Sequence, residues 1–467
     1  MELIKISSAK ILLAASAAIM ALSLVSCATG GDARMPEQDR SHTLTSPAGK
    51  AAAYQSLEGS WDGFLWYMGQ DMAIKLHFLL EDGVWLGQMD IPPQNAFGMA
   101  LADIAFSSGG LKATLPGLTP LAMKATLLGD ELSGSFSQGP ASGSIRATRS
   151  GDGASLRAAM QAKEAADRAA LDPSIVSQEV SIDIPGGRLY GTLSAPLSAK
   201  PASAVLIIPG SGPTDRDGNS ILLPGKNDSL LSLGNGLVKS GFLVLRVDKR
   251  GIGKSVWPGL REEDMSIDQM ADDAAAWLAF LRSQRGIRKV ATIGHSEGAL
   301  VALLSARQAK PEALVLLAPM SADFFDTLFK QLASAPEDYL RRARFIYEEL
   351  KAGRYVSAVD ADLLSLFRPS VQPYMRSLIE HRPTALLASQ TIPTLVVAGG
   401  RDLQIELSDA KALAAARPDL RFLLLEDMNH VLKAVKPDLV DNQASYSQAS
   451  YPLAEGLVSG IAGFLQE

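Results

Sequence analysis

The sequence predicts an α/β protein in which a parallel sheet is covered by helices on both faces, preceded by a smaller antiparallel β domain. The α/β prediction rests on near-continuous apolar runs, such as 204–208, 289–293 and 394–397, that alternate with helical stretches after residue 176. Strands of that kind are buried on both faces. The β domain is predicted from shorter runs before residue 150, in which apolar and polar side chains alternate and turn signals follow.

Length and composition indicate several folded domains and exclude some classes of protein. The chain has 467 residues, of which 47% are apolar and 20% are charged, as in ordinary globular proteins. Its net charge of −6 argues against nucleic-acid binding, because such proteins carry a basic domain or stripe. Cys27 is the single cysteine, which excludes a disulfide framework and a cysteine-based zinc site. Nucleotide fingerprints and His/Asp metal spacings are also absent from the sequence, so we expect no cofactor and no metal.

Residues 1–26 are typical of a bacterial lipoprotein signal peptide. Lys5 and Lys10 precede an apolar run of 15 residues, 11–25, which is shorter than the roughly 20 residues that a membrane-spanning helix needs. The sequence LVSC at 24–27 then resembles a lipobox, in which small residues precede an acceptor cysteine. The alternative is an ordinary secretory signal with a chance cysteine.

The lipobox resemblance implies cleavage before Cys27 and acylation of that residue. More than one acyl chain gives stable anchoring, so the chain is expected to be held at a membrane through Cys27. Ala28 follows where an aspartate would favour the inner membrane, which by resemblance indicates the outer membrane, facing the periplasm. Residues 27–55 are rich in Gly, Ser, Ala and Pro and are predicted to form a flexible tether.

Residues 56–150 are predicted to form the antiparallel β domain, barrel- or sandwich-like, with about six to eight strands. The run 74–80 alternates apolar and polar side chains, as in a half-buried strand, and an Asp-Gly hairpin signal follows it. No catalytic constellation is found in this domain, and His77 is expected on the solvated face of its strand. Residues 151–175, Ala-rich and charged, are predicted to form an exposed helical linker.

Residues 176–467 carry the predicted α/β region. A hairpin over 180–193 precedes the buried strands, and a stretch of about 70 residues, 321–390, interrupts them. Its apolar and aromatic side chains recur at helical spacing, so it is predicted to be a helical lid inserted into the sheet. Two interpretations of its aromatic residues stay open, core packing and contact with a substrate.

The sequence Gly-His-Ser-Glu-Gly at 294–298 lies between a predicted strand and a predicted helix. Gly-x-Ser-x-Gly in this context forms a strained turn that exposes the serine hydroxyl at the end of a sheet. The glycines are needed because the turn has no room for side chains at those positions. Ser296 is therefore the candidate nucleophile.

A serine hydroxyl needs a neighbouring base to act as a nucleophile. Of the five histidines, one lies in the tether, one in the β domain, one in the lid and one, His295, in the turn itself. His430 follows the strand-like run 422–425, at the carboxyl edge of the predicted sheet, where sites form in such folds. Elimination and topology both indicate His430 as the base.

The acid that supports the base is expected between the nucleophile and the histidine along the chain. Asp402 follows the strand-like run 394–397 through a pair of glycines, which lets a carboxylate bend toward His430. Its role would be to fix the imidazole tautomer and stabilise the imidazolium. Glu406 and Asp409 are the alternatives, and their place in a following helix favours a solvated position.

Acyl transfer also requires two preorganised backbone N–H groups that stabilise the oxyanion. One is expected from Glu297, directly after the nucleophile. The other is expected from the loop that follows the run 204–208 and reads Pro-Gly-Ser-Gly-Pro. Ser211 is the first candidate in that loop, and Gly212 is the alternative.

Two further motifs are interpreted as structural. Asp215, Asp217 and Asn219 have the spacing that begins an EF-hand loop, but the later positions lack the required Gly and Glu, so Asx turns are expected instead of calcium binding. The sequence Asp-Lys-Arg-Gly at 248–251 is interpreted as a structural turn.

The region from about residue 177 to 467 resembles the α/β-hydrolase superfamily, and within it bacterial esterase-type hydrolases with a serine-aminopeptidase-like lid. The resemblance is carried by PGSGPTDRDGNS (209–220), DKRGIGKS (248–255), GHSEG (294–298), GGRD (399–402) and MNH (428–430). It implies an α/β-hydrolase sheet with a helical lid insertion. The oxyanion loop begins with Pro209-Gly210 where many relatives have His-Gly, which leaves the backbone donor intact.

These residues predict a serine hydrolase of the carboxylesterase type, which cleaves small carboxylic esters through an acyl-enzyme. One alternative is amide or peptide hydrolysis, aminopeptidase-like, with the same triad. An alternative from another class is a ligand-binding lipoprotein whose hydrolase domain is inert, and the intact Ser296, Asp402 and His430 argue against it. The expected partners are a small-molecule ester and a membrane, and no nucleic acid.

Overall fold

The structure, a computed structural model, describes residues 56–467 except 68–69, 82, 93–95, 116–119, 139–140, 170–171, 221–222, 224, 258 and 361. The described residues form two compact units that divide between Ala166 and Asp167. The predicted signal peptide, Cys27 and the tether lie outside the described residues. In the part of the chain that is described, helices long and apolar enough to cross a membrane are absent.

The first unit is an antiparallel sheet of nine strands with the order β4-β3-β2-β1-β9-β8-β7-β6-β5. The sheet curls until β5 comes beside β3, where the Leu101 N–H donates to the Gly87 carbonyl over 2.8 Å. The strands are β1 (Gly59–Tyr67), β2 (Gln70–Glu81), β3 (Val84–Ile91), β4 (Ala96–Ala100), β5 (Ala102–Ser107), β6 (Gly110–Leu115), β7 (Leu121–Leu128), β8 (Glu131–Gln138) and β9 (Ala141–Asp152).

Alternation of apolar and polar side chains builds the interior of this sheet. Along β7 every second residue is buried and the residues between are exposed, and Trp61 and Phe78 lie fully buried in the same core. The fold class is therefore confirmed, but the predicted count of six to eight strands is wrong. Only Leu101 separates β4 from β5. The short run around this residue holds no strong turn signal, so the sequence does not show the break.

His77 lies on the outward face of β2, which also carries the exposed Lys75, as predicted, but its own side chain is partly covered. Its side chain is only 20% exposed, with Nδ1 3.0 Å from the Ser60 hydroxyl and Nε2 3.2 Å from an Asp90 carboxylate oxygen. The three residues belong to neighbouring strands β1, β2 and β3. The alternation of apolar and polar residues along one strand does not show which side chains on the adjacent strands will cover it.

A helix, α1 (Gly153–Ala169), follows the first sheet within the predicted linker segment. Its beginning packs in the first unit, where Leu156 is buried and the Arg157 guanidinium donates to Glu58 over 2.7 Å. The next strand begins at Ile175.

The second unit contains an eight-stranded sheet with the order β10-β11-β13-β12-β14-β15-β16-β17. β10 and β11 form the predicted antiparallel hairpin, β11 pairs antiparallel with β13, and all the remaining pairs are parallel. The strands are β10 (Ile175–Ile184), β11 (Gly187–Pro196), β12 (Ser203–Ile208), β13 (Leu243–Val247), β14 (Lys289–His295), β15 (Ala313–Leu317), β16 (Thr394–Gly399) and β17 (Arg421–Leu425).

Helices cover the central strands of the sheet, which is why those strands are mostly apolar. All five residues of β13 are buried, and so are all six of β16. Apolar side chains of α2 and α12 share one core cluster with β12, β14 and β15. The helices outside the lid are α2 (Ser229–Lys239), α3 (Ile267–Arg282), α4 (Glu297–Ala309), α10 (Leu407–Ala416), α11 (Leu439–Ala444) and α12 (Leu457–Gln466).

The insertion between β15 and β16 is helical, as predicted. Its helices are α5 (Phe324–Gln331), α6 (Glu337–Lys351), α7 (Leu364–Phe367), α8 (Gln372–Ile379) and α9 (Pro383–Ala388). Phe325 is buried with its ring centroid 4.6 Å from that of Tyr347, and it stacks on Phe367 at 6.4 Å. These aromatic residues are the core of the lid, whereas Phe324 lines a cavity beside Ser296. Core packing therefore holds for Phe325, while contact with a substrate stays a prediction, for which Phe324 is placed.

Removing the central ring of the lid core should loosen the lid. We expect Phe325→Ala to lower the free energy of unfolding by about 3–5 kcal/mol, the usual cost of a cavity left by a buried phenylalanine. Phe345→Ala on α6 is the matched control, because that ring is 59% exposed. Denaturant unfolding of the full chain measures both, and equal effects of the two substitutions would contradict the assignment of Phe325 to the lid core.

Candidate active site

Ser296 lies on the turn between β14 and α4, at the carboxyl end of the sheet. Its backbone has φ 54° and ψ −118°, a strained conformation for a residue with a side chain. The Ser296 N–H donates to the Leu317 carbonyl of the next strand over 2.8 Å, which holds the turn in place. The geometry is that of a nucleophile elbow.

The two glycines of the elbow are required by backbone contacts. A Cβ on Gly294 would lie 2.1 Å from the Gly298 carbonyl oxygen. A Cβ on Gly298 would lie 2.5 Å from the Ile208 carbonyl oxygen and 2.6 Å from that of Pro209. The start of α4 thus rests directly on the end of β12. This contact brings the loop after β12 beside the serine.

Asp402 and His430 are joined by a hydrogen bond. His430 Nδ1 lies 2.8 Å from Asp402 Oδ2, and both side chains are almost fully buried. The other Asp402 oxygen accepts from the backbone N–H groups of Gln404 and Ile405, over 2.8 and 2.9 Å. A carboxylate fixed in this way binds the Nδ1 proton of the imidazole, which leaves Nε2 as the basic nitrogen. His430 and Ser296 line the same cleft.

The loop that carries His430 is held by its neighbour Asn429. The buried Asn429 amide donates to Asn442 over 3.1 Å and to the Ser445 hydroxyl over 2.7 Å, and its oxygen accepts from the Lys433 N–H over 3.0 Å. Both amide protons and the amide oxygen are thus hydrogen-bonded, to the loop itself and to the segment 442–445. The position of His430 is therefore set by packing on both sides of it.

His295 also holds the segment that carries His430, a contact that the sequence did not indicate. Its Nε2 donates to the backbone carbonyl of His430 over 2.8 Å, and the two ring centroids are 4.9 Å apart. Burial, with a contribution from His430, lowers the pKa of His295 to about 3, so its ring is neutral at pH 7. A carbonyl can only accept, so the proton of this neutral ring lies on Nε2.

The predicted oxyanion loop lies over the elbow. A Cβ on Gly210 would lie 3.2 Å from the Ser296 Cβ, so the loop backbone passes directly beside the nucleophile. Ser211 lines the cleft together with Ser296 and His430, and Gly212 also borders this cleft. Ser211 and Glu297 both border an adjoining cavity next to Ser296. The structure thus brings both candidate donors to the serine and leaves the choice between Ser211 and Gly212 open.

The alternative acids do not contact the base. Glu406 is exposed, as expected, but Asp409 is only 2% exposed and not solvated. Its carboxylate accepts from the Ser321 hydroxyl over 2.6 Å and lies 3.5 Å from Lys330 Nζ. Asp409 therefore ties α10 to the beginning of the lid. A helical pattern read alone could not show this contact, because it joins segments far apart in the sequence.

The other two motifs are structural in the described chain. Asp215 Oδ1 accepts from the N–H groups of Asp217 and Asn219, both over 2.9 Å, which are the expected Asx turns. Asp248 accepts from the Arg216 guanidinium over 2.5 Å and from the Lys254 N–H over 3.0 Å. Groups of His, Cys, Asp and Glu arranged to hold a metal are not found among the described residues.

The cleft has a polar side and a lid side. The polar side is bordered by Ser220, Asn227 and Tyr446, and the lid side by Phe324 and Leu328 of α5. Ser296 lies between them.

The sheet order, the elbow and the placement of Asp402 after β16 and His430 after β17 together give the second unit the fold of the α/β hydrolases. Residues 223–433 match the family described as "Serine aminopeptidase, S33". The matched segment contains the elbow, the lid, Asp402 and His430. The first unit lies outside it.

One curated relative is Esterase EstD from Thermotoga maritima, 27% identical over 273 residues. The alignment covers 56% of this chain and 61% of the relative, so the chain spans about three fifths of the relative's length.

Two solved structures are reported as similar to this chain. Est1E from Butyrivibrio proteoclasticus, with ferulic acid bound, has a TM-score of 0.41 and 17% identity over 62% of this chain and 96% of its own. The Pyrococcus furiosus esterase Pf2001 has a TM-score of 0.40 and 18% identity over 63% of this chain and 93% of its own.

The contact between the elbow and β12 can be tested by adding one methyl group. We expect Gly298→Ala to destabilise the chain by about 1–3 kcal/mol or more, because its Cβ has only backbone atoms to displace. The matched control is Gly463→Ala in α12, where a Cβ would meet nothing within 4 Å. That substitution should stabilise by up to about 1 kcal/mol, since alanine favours helix. Thermal unfolding distinguishes the two, and an unaffected Gly298→Ala would refute the close contact.

Proposed function

We propose that this chain is a serine hydrolase that cleaves small carboxylic esters through an acyl-enzyme, with Ser296, His430 and Asp402 as its triad. The observation that carries the proposal is the placement of the strained Ser296 elbow in one cleft with a hydrogen-bonded His430–Asp402 pair. The similarity to a relative named as an esterase supports the ester chemistry.

In the proposed reaction the Ser296 oxygen attacks the ester carbonyl carbon while its proton passes to His430 Nε2. Asp402 accepts the Nδ1–H hydrogen bond and stabilises the imidazolium that forms. The N–H groups of Ser211 and Glu297 would donate to the carbonyl oxygen as it becomes an oxyanion. The imidazolium then gives its proton to the leaving alcohol. Water, activated by the same histidine, hydrolyses the acyl-enzyme.

Amide or peptide hydrolysis is the second candidate function, and the serine aminopeptidase family match is the observation that favours it. An aminopeptidase needs a negative group that receives the α-amino group of its substrate. Among the described residues that line the cleft and the adjoining cavity, only Glu297 carries a carboxylate. That side chain is buried and faces Lys249 at 3.9 Å. The lining therefore favours the ester over a free amino terminus.

We also propose a cellular location, which rests on the N-terminal sequence. The signal pattern supports lipidation at Cys27 and an outer-membrane anchor that faces the periplasm. The 29 residues 27–55 would serve as the tether. A tether of this composition leaves the hydrolase free to meet soluble esters near the membrane.

Replacing the nucleophile should abolish turnover. Ser296→Ala is expected to lower kcat on p-nitrophenyl acetate by roughly 10⁴- to 10⁶-fold, because the nucleophile and base act as a unit. His430→Ala should be nearly as damaging, and the double variant hardly worse. Ser283→Ala, an exposed serine at the end of α3, is the control. If Ser296→Ala keeps more than a tenth of the activity, the proposed function is wrong. Amino-acid anilides measured in parallel decide between the ester and the amide.

Removing the single thiol tests the anchor. We expect Cys27→Ser to prevent acylation and leave an unprocessed precursor or a released form, because a hydroxyl is not the acceptor for the diacylglyceryl group. Membrane fractionation and intact mass of the mature chain measure this. An unchanged distribution and mass would exclude lipidation at Cys27.

A further inference from the structure

Lys249 is a buried cation near Ser296 that takes no part in the proposed triad. It follows β13 in the segment 248–255, which the sequence marks only as a turn. Its side chain is 6% exposed, and the cavity next to it is bordered by apolar side chains such as Met270, Trp277 and Val301. A buried ammonium in such surroundings must find acceptors to remain in the fold.

The acceptors of Lys249 are in the oxyanion loop. Its Nζ donates to the Gly210 carbonyl in a short hydrogen bond and to the Gly212 carbonyl over 3.0 Å. The third neighbour is Glu297 Oε1 at 3.9 Å. Two of the three ammonium protons are therefore donated to carbonyl groups, and Glu297 adds the attraction of an opposite charge. All three neighbours are residues that carry or flank the candidate oxyanion donors.

The Gly210 carbonyl and the Ser211 N–H belong to one peptide group. A trans peptide is planar, with its carbonyl and its N–H pointing in opposite directions. A side chain that holds the Gly210 carbonyl therefore also fixes the direction of the Ser211 N–H. A positive charge on the carbonyl oxygen also polarises the peptide, which makes the N–H a stronger donor.

We propose that Lys249 is a positioning residue that orients and polarises the Gly210–Ser211 peptide as an oxyanion donor. The proposal rests on the proposed serine hydrolase function, and it selects Ser211 over Gly212. The Ser211 carbonyl, which shares its peptide with the Gly212 N–H, accepts instead from the Thr214 hydroxyl over 2.8 Å. Lys249 therefore acts on the Ser211 donor.

Glu297 connects the same cation to the lid. Its carboxylate is buried between Lys249 and the phenol of Tyr374, which belongs to α8. Burial raises the pKa of Glu297 and lowers the pKa of Lys249. The Glu297 N–H is the second candidate donor, so one buried cation lies beside Glu297 and also holds the Gly210–Ser211 peptide that carries the other candidate N–H.

The test compares full-length Lys249→Met with wild type. Methionine keeps the length of the side chain and removes both the charge and the donors. Four quantities are measured: kcat and KM on p-nitrophenyl acetate, the inhibition constant of an aryl trifluoromethyl ketone, and the rate of Ser296 phosphonylation by a fluorophosphonate, followed by intact mass. All but KM depend on stabilising a developing oxyanion. Lys254→Met is the matched control, because Lys254 lies in the same turn with an exposed side chain.

We expect Lys249→Met to lower kcat and the phosphonylation rate by about 10- to 100-fold, somewhat less than the loss of a whole oxyanion donor. Ketone affinity should fall in parallel, while KM stays within about threefold. Lys249→Gln, whose amide can still donate to one carbonyl, should lie between wild type and Lys249→Met, and it carries the test if the methionine variant does not fold. Lys254→Met should match wild type.

A folded Lys249 variant with wild-type kcat, ketone affinity and phosphonylation rate would overturn the proposal. A variant in which KM rises while kcat is unchanged would also overturn it, because Lys249 would then contribute to substrate binding and not to stabilisation of the oxyanion. If wild type is phosphonylated but hydrolyses no ester, the proposed function fails while the phosphonylation rates still decide the role of Lys249. If wild type does neither, both are wrong.

Discussion

The contact of the first turn of α4 with the carboxyl end of β12 is the constraint on which the site depends. Gly298 meets the carbonyl groups of Ile208 and Pro209 at a distance that excludes any side chain. Backbone packed on backbone leaves little freedom, so the relative position of the nucleophile and the oxyanion loop is fixed to within the tolerance of a van der Waals contact. The remaining parts of the site are added around this rigid pair by loops after β16 and β17.

The lid is joined to the helices and loops around the sheet by polar contacts at several points. Besides the Ser321–Asp409 bond, the Gln331 amide donates to the Gln404 carbonyl over 3.1 Å, and the Gln390 amide donates to the Leu303 carbonyl over 2.7 Å. These contacts lie near the two ends of the insertion and at the helix that faces the cleft. The lid is therefore a fixed wall of the cleft whose own aromatic core keeps it folded.

The parts of the site that carry local signatures could be predicted from the sequence. The elbow has its glycines, and Asp402 and His430 follow apolar strands in the chain order that the fold requires. Roles that depend on contacts between distant segments could not be predicted. His295 contacts the carbonyl of His430, a residue 135 positions away. Lys249 stands beside Arg250 in a predicted turn, and such a pair is usually exposed to solvent, so the sequence does not show that Lys249 is buried.

The same distinction applies to the fold. Strand periodicity predicted both sheets, because side chains on one strand record which face is buried. The sequence does not predict the break between β4 and β5, because Leu101, the one residue between them, carries no turn signal. The half-buried position of His77 was missed because its partners lie on two other strands.

Because Glu297 is buried, this elbow needs a cation beside it, which the Gly-x-Ser-x-Gly motif does not specify. In Gly-x-Ser-x-Gly the residue after the serine is nominally free, yet here its carboxylate lies between Lys249 and Tyr374, out of reach of water. A buried carboxylate that loses its cation is strongly unfavourable. Placing residues 294–298 in another hydrolase would therefore bury a negative charge without a partner, unless an equivalent of Lys249 were introduced as well. In the divergence of such enzymes, positions 249 and 297 should change as a pair.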